Sequence, residues 1–177
     1  MKIKSYLITM LTGMAVAGLV SNAWADSLGE EVKEAKDEFL KADGTLKATM
    51  SKASGYVIFP SVAKGGLGVG AAAGKGQVFE TGKDKALGEA KLRQVTVGFQ
   101  AGGQVYSEMI LFEDKTSLDN FKKGNFEFSA QVSAVAVKTG ASANAKYEHG
   151  IMVLTLAKGG LMYEASVGGQ KFKYNDY

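Results

Sequence analysis

Residues 63–80 read AKGGLGVGAAAGKGQVFE, the stretch whose residue types and spacing come closest to a familiar chemistry. Gly68-Val69-Gly70-Ala71-Ala72-Ala73 satisfies G-x-G-x-x-A, the pattern that sets a pyrophosphate against a helix N-terminus. That use requires a helix directly after the glycines. Here Gly74, Gly76 and the β-type residues Gln77, Val78 and Phe79 follow instead. A Walker-type reading through Gly74-Lys75 fails on spacing, and Gly76 stands where the metal-binding hydroxyl belongs. The tract therefore reads as a glycine-rich strand. Two explanations for its glycines stay open. Either another molecule lies close to the bare backbone, or the chain itself crosses there.

The opening of the tract recurs. Ala63-Lys64-Gly65-Gly66-Leu67 returns as Ala157-Lys158-Gly159-Gly160-Leu161, and both copies run on into β-type residues. This predicts a pair of related hairpins whose lysines, Lys64 and Lys158, flank glycine-rich strands. Lys75 and Lys171 follow near the corresponding turns. Lysine stems can lie along an apolar surface while their ammoniums sit among anionic headgroups. The bland alternative is that these lysines are ordinary solvated residues.

Other chemistry finds little support. His149 is the single histidine and sits beside Glu148 and Gly150 in a turn-like stretch; with no cysteine, neither a thiolate metal site nor a disulfide is available. Glu30, Glu31, Glu34, Asp37 and Glu38 form an acidic cluster whose default reading is the solvated face of a helix. Lys171-Phe172-Lys173-Tyr174 interleaves basic and aromatic residues, which fits an edge strand better than a nucleic-acid platform. No enzyme, metal, cofactor or nucleic-acid partner is expected.

Residues 1–25 carry Lys2 and Lys4, an apolar run from Tyr6 to Val20, and Ala23-Trp24-Ala25. This order predicts a secretory signal peptide cleaved after Ala25, and hence an exported, periplasmic protein. Without Lys2 and Lys4 the 21 basic side chains fall to 19 against 18 acidic ones, so no strong attraction to polyanions follows.

The elements that must position these residues divide in two, within one domain over 26–177. Residues 26–54 read as helical: Ser27 and Glu30 make a capping box, Leu28, Val32, Ala35 and Phe39 make an apolar stripe, and Asp43-Gly44 interrupts it. From residue 55 short β-type runs dominate: Tyr56–Phe59 ended by Pro60, Val95–Phe99, Val105–Phe112, Phe126–Val137, Ile151–Leu156 and Phe172–Tyr174. One helix over Asp114–Lys123 is inserted among them. The expected fold is α+β: N-terminal helices on an antiparallel β-sandwich or partly closed barrel with glycine-rich strands.

Three segments carry a resemblance. Tyr56–Gly66 (YVIFPSVAKGG), Phe126–Val137 (FEFSAQVSAVAV) and Leu156–Leu161 (LAKGGL) resemble the SYLF lipid-binding domain family, most closely its exported bacterial branch, within a match extending from about Lys36 to Tyr174. Eukaryotic members bind phosphoinositide membranes, and some bind or bundle actin. The resemblance implies a non-enzymatic domain that binds anionic phospholipid or a membrane surface in the cell envelope. The candidate contacts are Lys64, Gly65, Gly66, Lys75, Lys158, Gly159, Gly160 and Lys171. The N-terminal helix departs from those relatives in being net acidic. Two further readings are an envelope scaffold that receives a partner strand at a sheet edge, and a carrier of a small apolar ligand.

Overall fold

The computed structural model describes the backbone of residues 11–124, 126–129, 132–158 and 167–177, with side chains from residue 27 onward except at 98–102. The fold is mixed α/β. Helices α1 (Leu11–Ala42), α2 (Leu46–Lys52), α3 (Lys115–Lys122) and α4 (Ala141–Asn144) accompany six strands: β1 (Gly55–Glu80), β2 (Gly88–Phe112), β3 (Phe126–Glu127), β4 (Ala134–Ala136), β5 (Ile151–Ala157) and β6 (Lys171–Asp176).

All six described strands belong to one sheet, in the order β3-β6-β2-β5-β4 with β1 on the other side of β2. A sandwich of two separate sheets therefore gives way to a single sheet that curls. Every pairing is antiparallel except β4 with β5. The curl originates in the ribbon formed by β1 and β2. Drawn straight, 26 residues of strand would span on the order of 85 Å. Instead the ends of β1 meet: Thr81 N donates to Ser54 O at 3.2 Å. The strand folds back at Gly68, which takes φ +73°, and the register against β2 shifts between Leu67 and Val69.

Glycine makes this fold possible at two places. A Cβ at Gly66 would collide with the Val69 carbonyl oxygen and the Gly70 backbone, and one at Gly76 with the Ile58 carbonyl oxygen and the Phe59 ring. The backbone approaching these glycines is the chain's own.

Alternation along the strands gives the sheet two faces. The inner face carries Val57, Phe59, Val62, Ala72, Val78, Leu92, Tyr106, Ile110, Phe112, Val153 and Phe172, packed with Leu118 and Phe121 of α3. The outer face carries Tyr56, Ile58, Met109, Leu111, Met152 and Leu154 in one buried cluster with Val32, Ala35 and Phe39 of α1 and Leu46 and Met50 of α2. Phe121 lies 5.1 Å from Phe112 and 5.4 Å from Phe172, centroid to centroid. Such spacing suits aromatic rings packed edge to face.

Several expectations change. Pro60 does not end a strand: it sits at the irregularity between Phe59 and Val62, where its carbonyl accepts from the Ser107 hydroxyl at 2.8 Å, so β1 continues. Val95–Phe99 and Val105–Phe112 are parts of one strand. Phe126–Val137 yields only the short strands β3 and β4. Ser27 lies inside α1 rather than at its start. Lys171–Tyr174 is not an outermost strand, since β6 lies between β2 and β3. The Asp43-Gly44 break does separate α1 from α2, and Asp114 caps α3 by accepting from Ser117 N at 2.7 Å.

The break is also an anchor. Asp43 is buried, and its carboxylate accepts from Thr45 N and Oγ1, Gly140 N, and Ser142 N and Oγ, at 2.6–3.0 Å. Burial opposes its charge, yet the bonds from Ser142 and Thr45 prevail and hold its pKa well below the usual carboxylate range.

Candidate basic and apolar face

The outer face is covered by α1 and α2 only toward one end of the ribbon. Toward the bend it is open, and the register fixes what stands there. Lys75 pairs with Lys91, which pairs with Lys173 on β6. One step closer to the bend, Ala73 pairs with Arg93, which pairs with Lys171. Directly opposed residues in such ladders hold their Cβ atoms within about 5.5 Å. Five cations are thereby collected in two adjacent rows. Glu89 lies 3.6 Å from Lys91 and Glu127 lies 3.4 Å from Lys171, so two carboxylates partly offset the five. Both are partly exposed pairs and contribute little to stability.

Next toward the bend come aliphatic side chains. Ala71 pairs with Val95 and Val69 with Val97. Leu67 is 82% exposed, Val69 60%, Val95 74% and Val97 85%. Their neighbours in sequence, such as Ala72 and Leu92, are buried on the inner face. The same period of two that fills the core thus leaves an apolar patch in the open.

The lysines expected to act together are divided by this geometry. Lys75 and Lys171 share the open outer face. Lys64 follows Val62 on the inner face, paired with Gln104, and partial burial lowers the pKa of its amine. Lys158 follows β5, whose even-numbered residues Met152 and Leu154 belong to the outer cluster, and its N–H donates to Val105 O at 3.0 Å. The two copies of the repeat flank the same part of β2, since Ala63 pairs with Val105 and Ala157 with Tyr106, yet their lysines fall on opposite faces. Gly65 is exposed opposite Gly103, and Gly66 is turned against Val69 and Gly70. Gly159 and Gly160 lie outside the described residues.

Sequence reasoning passed over Lys91, Arg93, Lys173, Leu67, Val69, Val95 and Val97. The signal was present as basic residues two apart, Lys91-x-Arg93 and Lys171-x-Lys173, but only the pairing of β2 with β6 sets them side by side.

Elsewhere the surface holds a groove of about 600 Å³ between α1 and the base of the ribbon. The Lys36 ammonium donates to the Tyr56 hydroxyl at 2.8 Å and lies 4.9 Å from its ring, while Tyr56 stacks on Phe79. His149 occupies a turn with φ +53°. Among the described residues no three His, Cys, Asp or Glu side chains gather closely enough to hold a metal ion. No described helix is long and apolar enough to cross a membrane.

Inside the sheet, Glu108 is fully buried. Gln170 Nε2 donates to its Oε2 at 2.9 Å, and burial pushes its pKa up to about 8. No described cation neutralises it, so the carboxyl holds its proton at neutral pH.

Residues 93–176, which include β6 and much of β2, match the Ysc84 family, described as Las17-binding protein actin regulator. Beta cell expansion factor A from Aeromonas veronii is 30% identical over 133 residues, covering 72% of this chain. The chain spans about half the length of that relative, 48% of it. The match and the relative together place the chain in the SYLF family, to which it belongs.

Proposed function

We propose that this protein is a non-enzymatic binding module that attaches to anionic phospholipid headgroups through the open outer face of β1, β2 and β6. The SYLF family is associated with lipid- and actin-binding partners, and its domains are binding modules rather than catalysts. The observation that carries the reading for this chain is the double row of Lys75, Lys91 and Lys173 beside Arg93 and Lys171. Each cation near an anionic membrane contributes about 1 kcal/mol, so five against two carboxylates suffice for peripheral attachment. Lys158 extends the same face. Lys64, on the opposite face, serves as a flank rather than a member of the rows. The leader-like residues 1–25 support export with cleavage after Ala25, and the proposal therefore includes a periplasmic surface of the bacterial envelope as the site of binding.

Co-sedimentation of the protein with phosphatidylglycerol vesicles tests the reading. Binding is expected to the anionic vesicles and not to phosphatidylcholine, and to fade as salt rises above 0.1 M, where screening acts over ~10 Å. Equal retention on both lipids, or on neither, overturns it.

A second reading is supported by β6, whose residues beyond Phe172 have no partner in β3. A partner strand could add there through backbone hydrogen bonds. Such an interaction would withstand salt, so the same titration separates the two readings.

A further inference from the structure

We infer that the bend of the β1–β2 ribbon is the part of the molecule that enters the acyl layer, so that the protein stands on the membrane bend-first, with the cation rows at headgroup depth. The inference rests on the lipid-surface reading above and adds its orientation and depth.

Three observations carry it. The first is exposure: Val69, Val95 and Val97 are each at least 60% exposed on one face, Val69 directly opposite Val97, and Leu67, 82% exposed, lies just across the bend. Single exposed aliphatics are ordinary, but a contiguous apolar group rimmed by charge marks an interaction site. The second is charge complementarity. The rim consists of cations, which excludes a basic partner and fits a surface both anionic and apolar beneath. The third is spacing. Arg93 lies two residues from Val95 and Lys91 four, so the cation rows follow the apolar group at about 7 and 13 Å along the strand. The headgroup layer of one leaflet is about 5–8 Å thick, from ~40–45 Å overall against a ~30 Å core. With Val95 and Val97 at the acyl boundary, the Arg93 and Lys171 row falls within the headgroups and the Lys75, Lys91 and Lys173 row stands about 5 Å outside them, still within the ~10 Å screening length of the anionic surface.

The bend also suits shallow entry. Unsatisfied backbone polar groups are costly in hydrocarbon. Here the halves of β1 fold against each other and β1 pairs with β2 on both sides of the bend, as far as Leu67 with Ala101 and Val69 with Val97, so the backbone outside the ladder is confined to Gly68 and residues 98–100. The side chains offered first are aliphatic.

The test uses the protein as cleaved after Ala25, which carries no tryptophan because Trp24 leaves with the leader. Into it is placed either Val97→Trp at the bend or Ser51→Trp on the exposed surface of α2. Each protein is mixed with phosphatidylglycerol vesicles containing lipids brominated along the acyl chain. The Val97→Trp protein is expected to shift its emission to the blue and to be quenched at least twofold, while the Ser51→Trp protein changes little. A companion variant, Leu67→Gln with Val95→Thr and Val97→Thr, retains β-branching and every cation. It should bind roughly tenfold more weakly at 0.3 M salt while keeping most of its binding at low salt.

Sedimentation of the Val97→Trp protein without quenching overturns the inference and leaves the surface reading standing. Failure to sediment at all, with native circular dichroism, overturns both. A concentration-dependent blue shift without vesicles shows a second copy of the chain covering the patch, and also overturns the inference.

Discussion

Lys75 and Lys173 lie on strands separated by β2, yet both are register neighbours of Lys91, so three ammoniums share one cross-strand row. Like charges opposed in this way repel, a cost that an anionic surface relieves. Replacing Lys75 and Lys173 with Glu should therefore lower affinity for phosphatidylglycerol vesicles by roughly 1,000-fold at low salt, at about 1 kcal/mol per charge removed and again per charge inverted. The melting temperature should rise slightly or hold. Lys64→Glu, on the other face, should have a smaller effect. Quantitative vesicle pelleting measures both.

The fold-back of β1 depends on Gly76. Gly76→Ala places a methyl against the Ile58 carbonyl and the Phe59 ring, backbone and a packed ring that cannot yield without strain. A loss of roughly 3 kcal/mol is expected in urea unfolding, at the upper end for overpacking. Gly44→Ala, with nothing within 4 Å, should change stability by about 0.5 kcal/mol or less.

Asp43→Asn should be as severe at neutral pH. Asn offers a donor where Ser142 already presents two, and removes the charge that strengthens five bonds, for a cost of roughly 3 kcal/mol. The sign with pH follows from its lowered pKa. Its contribution is complete above the unfolded carboxylate value of ~3.9 and drains away as pH falls below it. The gap between wild type and variant should narrow toward pH 2, measured by urea titration across pH.

Glu108 works in the other direction. Because the folded state holds the proton up to about 8 while the unfolded chain releases it near ~4.3, the folded state binds more protons between those values and stability falls as pH rises. Glu108→Gln keeps the shape and cannot ionise. It should be roughly 2 kcal/mol more stable than wild type at pH 8.5, and equal or slightly less stable at pH 4.5. A wild-type slope identical to that of the variant would show that Glu108 is not the titrating group.

Much of the local architecture was legible in the residues. The apolar stripe of Leu28, Val32, Ala35 and Phe39, the break at Asp43-Gly44 and the helix over Asp114–Lys123 depend on neighbours a few positions apart, and all recur in the structure. Period-two alternation likewise marked the strands that build both cores. Pro60 misled because a proline usually ends a ladder, whereas here an irregularity takes it up and Ser107 satisfies its carbonyl.

What the amino-acid order determined by itself was the set of elements and the abundance of bare backbone between Gly65 and Gly76. Tertiary structure alone decided what the glycines meet and which cations share a face. The exact repeat of Ala-Lys-Gly-Gly-Leu implied that Lys64 and Lys158 act as a pair, but a one-residue difference in their pairing with β2 sends them to opposite faces. Side-chain direction in a sheet depends on the parity of the register, and register is set by partners dozens of residues away. The same long-range pairing brings Lys173 beside Lys91 and leaves Val97 uncovered.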